Sequence, residues 1–420
     1  MQRVCITPSP LRGMISPPPS KSAAHRAMIC AALASGGSEV FCSAFSDDIT
    51  ATLGVLRALG TDISVSRDSV RFGERSRAAD GAVLDCGESG STLRFLIPVA
   101  AAIGGRFVFT GRGRLPQRPL GPYLTELPKH GVTLEGGGLP LTVSGQLKSG
   151  SYFLPGNISS QFITGLLLAL PLLDGDSVIT LTSPLESAGY VALTLGIMKR
   201  FGVAAEPFDG GWKIRGGQKY LADRIKVEGD WSQAAFWLCA GALGGPIDCA
   251  GLDPASFQGD KAVVSILRRF GAVSALTEDG ARVHSGKLGG IEIDASQIPD
   301  IVPVLAATAC FARGTTLIFN AARLRAKESD RLATTCAGLS ALGAKIESGD
   351  DRLIIDSSSM CGGRAESFGD HRIAMALSIA AAYCAGPSEI DGCECVAKSY
   401  PNFYDDFKML GGHADVVNLG

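Results

Sequence analysis

Three short stretches concentrate residues able to do chemistry. The first is Pro17-Pro18-Pro19-Ser20-Lys21-Ser22-Ala23-Ala24-His25-Arg26. Its prolines fix their own φ and bar an early helix. Ser20 or Ser22 can then cap a helix over residues 23–35, which Gly36-Gly37 closes. Lys21, Ser22 and Arg26 crowd the N-terminal end, where free N–H groups and the helix dipole favour an anion. A lysine, a hydroxyl and an arginine one turn later make a cradle for a phosphate or carboxylate. Alone, the same residues would also suit an ordinary capped helix with two solvated cations. The second stretch, Arg323-Leu324-Arg325-Ala326-Lys327-Glu328-Ser329-Asp330-Arg331, interleaves both signs of charge between apolar segments. A solvated face explains the charge but not its confinement. The third, Phe368-Gly369-Asp370-His371-Arg372, opens a helix with a His-Arg pair.

Other stretches repeat the theme. Asp85-Cys86-Gly87-Glu88-Ser89-Gly90-Ser91-Thr92 leads from a strand over residues 82–84 into an apolar helix over residues 93–102. It is a glycine turn with hydroxyls at a helix mouth, and matches neither a P-loop nor a dinucleotide fingerprint. Gly111-Arg112-Gly113-Arg114-Leu115-Pro116-Gln117-Arg118-Pro119 carries three arginines, of which Arg118, between Gln and Pro, is the one expected to be held rigidly. Ser159, Ser160 and Gln161 start another apolar helix, and Ser187 and Tyr190 stand in the equivalent place further on. These neutral groups suit a polyhydroxylated ligand or a phosphate. Asp300 precedes an apolar helix over residues 304–311, where it could equally be a cap. Lys398 is placed at the opening of the last helix.

The elements that must position these groups follow a repeat. A helix end, a glycine and a strand recur at Gly60, Gly131, Gly202, Gly271, Gly343 and Gly411, at intervals of 71, 71, 69, 72 and 68 residues. Six near-equal periods of alternating helix and strand predict an α/β fold of six units, three per domain. The midpoint falls after Gly202. The expected domains are residues 20–227 and residues 1–19 with 228–420, hinged near Pro17, Pro18, Pro19 and Val227. If the helices of each domain run parallel, their N-termini face one interdomain cleft.

Composition narrows the class. Hydrophobic residues make 46% and charged residues 19% of the 420, values of a soluble enzyme rather than a disordered or membrane chain. A net charge of −2 gives no global pull on nucleic acid, so local cations serve small anions. The 12 cysteines are scattered and fit no zinc or redox spacing. They read as small buried hydrophobes in a reducing cytoplasm, and a metal site is not expected. No signal peptide is read at the start.

Together these motifs resemble the 5-enolpyruvylshikimate-3-phosphate synthase (EPSP synthase) family, over essentially the whole chain. The resemblance implies a two-domain inside-out α/β barrel of six βαβαββ-type units, closing on its substrates. It implies transfer of the enolpyruvyl group of phosphoenolpyruvate to the 5-hydroxyl of shikimate 3-phosphate, by a monomer with no cofactor, metal, nucleic acid or membrane partner. Shikimate 3-phosphate would contact Lys21, Ser22, Arg26, Ser159, Ser160, Gln161, Ser187, Tyr190, Asp300 and Lys327. Phosphoenolpyruvate would contact Lys21, Gly90, Arg118, Gln161, Arg331, Arg372 and Lys398. Asp300 matches the family's proton acceptor, and Glu328 with Lys21 would move a proton on and off the methylene carbon. Glu88, Ser91, Phe95 and Arg323 depart from the commonest family pattern. The sister UDP-N-acetylglucosamine enolpyruvyl transferases carry Lys-Asn where this chain has Lys21-Ser22, and a loop cysteine that residues 112–119 lack. An inactive anion-binding scaffold is the remaining alternative. Glyphosate is expected to compete with phosphoenolpyruvate, with Gly90→Ala weakening the inhibitor far more than the substrate.

Overall fold

The computed structural model describes residues 1–420. Gly60, Gly131, Gly202, Gly271, Gly343 and Gly411 all have φ between +77° and +106°. Side chains with a Cβ avoid that region, so each glycine can end a helix where other residues would be strained. The α-helices are α1 (Lys21–Leu33), α2 (Asp47–Ala58), α3 (Gly90–Ile103), α4 (Gly121–Glu126), α5 (Ser160–Ala169) and α6 (Ala188–Arg200). Then come α7 (Trp231–Leu243), α8 (Val263–Phe270), α9 (Val302–Ala309), α10 (Arg331–Ala341), α11 (His371–Ala381) and α12 (Phe403–Met409).

There are six sheets of four strands. In three of them, consecutive segments supply every strand. Ala82–Asp85 runs parallel to Gly105–Thr110 across α3, and Leu141–Gly145 and Val132–Glu135 add antiparallel. The sheets built on Ser177–Leu181 and Thr315–Phe319 repeat this order. The other three borrow a strand from far along the chain. Gly13–Ile15 leads into α1 but pairs with Ile247–Ala250, which follows α7. Arg224–Lys226 leads into α7 but pairs with Ser38–Phe41, which follows α1. Gln2–Thr7 lies between Ser388–Asp391 and His413–Asn418.

The chain divides into two compact units, Pro19–Val227 and Met1–Pro18 with Glu228–Gly420. Each has its own hydrophobic core. In both, the helix joining the parallel strands is largely apolar and mostly buried, its few charged groups lying towards the N-terminal end. α9 and α11 are buried along their whole length. The second helix of a repeat is amphipathic: α8 buries Val263, Val264, Ile266, Leu267 and Phe270 and turns Arg268 and Arg269 outward.

Three local expectations change. α1 begins at Lys21, because Ser20 is the cap, its Oγ accepting from Ala23 N. Asp300 is not a helix cap; Ile301 holds that place before α9 and no side chain caps it. Lys398 ends the 3-10 helix Cys393–Lys398 instead of opening α12. Capping depends on backbone angles that residue type alone does not set.

Candidate active site

In the unit Pro19–Val227, α1 carries Lys21, Ser22 and Arg26. Lys21 Nζ donates to Asp48 Oδ2 on α2 at 2.7 Å. Arg26 is buried, and desolvation lowers its pKa to about 10. Its Nε donates to Thr194 Oγ1 at 2.7 Å and its Nη1 to the Ser22 carbonyl at 2.7 Å. Nη2 donates to the Tyr190 carbonyl at 3.1 Å and to Thr164 Oγ1 at 3.4 Å. A guanidinium has five N–H groups, so little of Arg26 is left for a ligand. It chiefly ties α1 to α5 and α6, with its guanidinium 4.9 Å from the Phe95 ring centroid.

Gly90 is the first residue of α3, and Ser89 caps it. A methyl on Gly90 would stand 2.6 Å from Arg118 Nη1, so the Arg118 guanidinium lies directly against this glycine. Arg118 follows the 3-10 turn Leu115–Gln117, whose proline stiffens it. Gln161 is oriented from both ends: Arg94 Nη1 donates to its Oε1 at 2.6 Å, and its Nε2 donates to Ser91 Oγ at 3.0 Å. Ser91 thus has a definite task. Ser159 caps α5, its Oγ accepting from Gln161 N, and Ser160 is the helix's first residue. Ser187 is buried at φ +55°, a left-handed conformation uncommon for a residue with a Cβ. Such strain gathers at ligand sites.

In the other unit the candidate residues form one charged cluster. Arg331, its side chain 1% exposed, opens α10. Its Nη1 donates to Asp300 Oδ1 at 2.8 Å and its Nη2 to Glu328 Oε2 at 2.7 Å. Nε donates to Asp370 Oδ2 at 2.9 Å. Burial opposes the charge on Arg331, but Asp370, Glu328 and Asp300 outweigh it and raise the pKa. Asp300 also accepts from Lys327 Nζ at 3.3 Å, and Arg372 Nη2 lies 4.0 Å from its second oxygen. Desolvation brings Lys327 down to about 8, despite Asp300. Asp370 caps α11, accepting from Arg372 N at 2.9 Å. Lys398 Nζ donates to the Gly369 carbonyl at 2.9 Å. Arg323 donates to the Ser296 carbonyl.

The structure therefore brings Asp300, Lys327, Glu328, Arg331 and Arg372 into one network. Sequence reasoning missed four supporting residues: Asp48, Arg94, Asp260 and Asp370. Arg94 carried a signal, being a lone charge inside an apolar helix. Asp370 stood in a noted motif without a role. Asp260 is fully buried, accepts from Ser232 Oγ at 2.5 Å and is raised to about 7, by burial first and then by Asp300. Chemically, such a cluster can hold polyanions and exchange protons between carboxyl groups whose charges are balanced in place.

Similar proteins share the full length. The chain matches the family described as EPSP synthase (3-phosphoshikimate 1-carboxyvinyltransferase) over residues 6–407. A 3-phosphoshikimate 1-carboxyvinyltransferase from Clostridium kluyveri is 46% identical, with 100% of both chains covered. One from Clostridium perfringens is 46% identical over 98% of this chain and 99% of the relative. An EPSP synthase structure from Acinetobacter baumannii superposes with a TM-score of 0.85 at 27% identity, covering 100% of each chain. The enolpyruvyl transferase NikO from Streptomyces tendae, at 19% identity and a TM-score of 0.82 over 100% of this chain and 99% of its own, shares the fold. This chain belongs to the EPSP synthase family.

Proposed function

We propose that this enzyme transfers the enolpyruvyl group of phosphoenolpyruvate to the 5-hydroxyl of shikimate 3-phosphate, releasing phosphate, within the shikimate pathway to aromatic amino acids. The observation that carries the mechanism is the joining of Asp300 and Glu328 through one buried Arg331 guanidinium. Asp300 takes the proton of the attacking hydroxyl as its oxygen bonds to C2 of phosphoenolpyruvate. Glu328, with Lys21, delivers a proton to the methylene carbon, giving a tetrahedral adduct. The same group then takes a proton back from that carbon, the C–O bond to phosphate breaks, and phosphate leaves. Charge shifts inside a preorganised network, which stabilises the transition state more than the ground state.

Lys21, Ser22, Ser159, Ser160, Gln161, Ser187 and Tyr190 hold shikimate 3-phosphate, with Asp300 and Lys327. Arg26 supports that set mainly by fixing α1. Lys21, Gly90, Arg118, Gln161, Arg331, Arg372 and Lys398 hold phosphoenolpyruvate. The reaction as written calls for no metal or organic cofactor. The two chain crossings, at Pro18–Pro19 and Val227–Glu228, serve as the hinge. The chain works as a monomer in the cytoplasm; its 12 unpaired thiols support a reducing compartment, and no helix is long and apolar enough to cross a membrane.

Phosphate release with shikimate 3-phosphate or UDP-N-acetylglucosamine as acceptor tests the reading. Turnover with the first alone is expected. Turnover with the second alone, or with neither, overturns it.

A further inference from the structure

Beneath the N-termini of α1, α2 and α3 runs a chain of four polar side chains, His25, Thr52, Thr92 and Ser89, each 0% exposed. His25 Nδ1 lies 2.7 Å from Thr52 Oγ1. Thr52 Oγ1 lies 2.6 Å from Thr92 Oγ1. Thr92 Oγ1 donates to Ser89 Oγ at 2.7 Å, and Ser89 Oγ also accepts from Thr92 N at 3.1 Å as the cap of α3. None of these residues touches the reacting atoms in the mechanism above.

Proton counting gives the chain a direction. Each threonine has one hydroxyl proton. Thr92 gives its proton to Ser89, so Thr52 must donate to Thr92. His25 must then donate from Nδ1 to Thr52. Its Nε2, which has no protein partner, is left as a bare acceptor. The opposite direction would put a proton on Nε2 and bury an N–H with nothing to receive it, the rarer and costlier defect. Burial and the neighbouring Lys21 and Arg26 charges also keep the ring neutral.

The chain's ends lie beside groups that bind anions. His25 sits one turn beyond Lys21 on α1. α2 supplies Thr52 and also Asp48, whose carboxylate holds Lys21 and whose carbonyl oxygen lies 3.4 Å from Thr92 Oγ1 as a longer alternative to Ser89. Ser89 immediately precedes Gly90, against which Arg118 rests. We propose that the His25–Thr52–Thr92–Ser89 chain is a positioning device for phosphoenolpyruvate, setting the spacing between Lys21 and the Gly90–Arg118 corner. It rests on the function proposed above. A chain that served only the core would alter stability and both substrates alike.

The test is Thr52→Val, which keeps the side chain's shape and removes its hydroxyl, beside Thr52→Ser, which keeps the hydroxyl. Phosphate release is measured in the full-length protein with each substrate varied in turn. Thr52→Val should raise the KM for phosphoenolpyruvate about fivefold, the loss of roughly one hydrogen bond, and leave that for shikimate 3-phosphate nearly unchanged. Thr52→Ser should restore it. Should Thr52→Val not fold, Thr92→Val is held to the same criteria. Nitrogen-15 NMR of the wild type should show His25 neutral with its proton on Nδ1. An unchanged phosphoenolpyruvate KM, an equal rise for both substrates, or a proton on Nε2 overturns the proposal. Active wild type with an unaffected variant sinks this proposal alone; wild type inactive on both substrates sinks the functional reading and this one with it.

Discussion

In residues 19–227 the groups assigned to anions are held mainly by neutral partners, whereas in the other unit they are held by carboxylates. Arg26 rests on threonine hydroxyls and carbonyls, and Gln161 is clamped between Arg94 and Ser91. Arg331 instead meets Asp300, Glu328 and Asp370. A hydroxyl partner fixes position and leaves a cation's charge unbalanced. A carboxylate partner cancels that charge and couples its own proton affinity to it. Under the function proposed above, the first unit chiefly places substrate, and the second binds substrate too but adds the carboxylates that move protons. Lys21, paired with Asp48, departs from that neutral pattern.

Lys21→Ala tests that exception and should have the largest effect. Turnover is expected to fall about a hundredfold or more, as when a charge contact to a transition state is removed, with circular dichroism unchanged. Near-normal rates would reduce Lys21 to a partner for Asp48.

Asp370→Asn attacks the charged cluster at its most buried point. Asp370 is 0% and Arg331 1% exposed, and breaking a buried pair costs about 3–5 kcal/mol. The melting temperature should fall by on the order of 10 °C. A drop of only a degree or two would show that Asp300 and Glu328 suffice to hold Arg331.

Gly90→Ala probes the neutral side. The added methyl meets the Arg118 guanidinium, the far end of a flexible side chain, so Arg118 can yield. The KM for phosphoenolpyruvate should rise about tenfold, one weakened charge-assisted hydrogen bond, with that for shikimate 3-phosphate unchanged. Glyphosate inhibition should weaken as well, and by the larger factor. Equal KM values for wild type and variant would place Arg118 away from phosphoenolpyruvate.

Asp260→Asn has the smallest expected effect and reads through pH. Asp260 is raised from 3.8 to about 7, by burial and then by Asp300. Its folded value lies above its unfolded one, so its stabilising contribution is complete below 3.8 and is lost as pH rises towards 7. Wild type should lose thermal stability across that window more steeply than Asp260→Asn. Parallel profiles would show that Asp260 does not titrate there.

Much of this was legible in the sequence because helix ends have residue preferences. The six glycines marked helix C-termini, since only glycine adopts their φ freely. Hydroxyls and cations just before apolar runs located Lys21, Gly90, Ser159 and Arg372 near helix starts, whereas the place of Arg331 as the first residue of α10 came only from the structure. What was not legible was the pairing. Lys21 meets Asp48 across 27 residues, Arg331 meets Asp370 across 39, and Arg26 meets Thr194 across 168. No local pattern encodes such partners. Arg26 therefore read as a ligand-binding cation, though its N–H groups are largely spent on protein. Asp300 could pass for a helix cap because Asp favours that place, and only the backbone angles assign it to Ile301. The sequence assigned the segments holding Gly13–Ile15 and Arg224–Lys226 to their units, but not their strand partners, which short strands of three residues do not announce.

The division between placing substrate and moving protons meets its most direct test in Asp300→Asn. The amide preserves the shape and hydrogen-bonding capacity of the side chain and removes its ability to take a proton. Calorimetry should give a shikimate 3-phosphate affinity within a few-fold of wild type, while a single-turnover assay shows a rate lower by about a hundredfold or more. Binding and rate reduced by the same factor would contradict the account and make Asp300 one more positioning group.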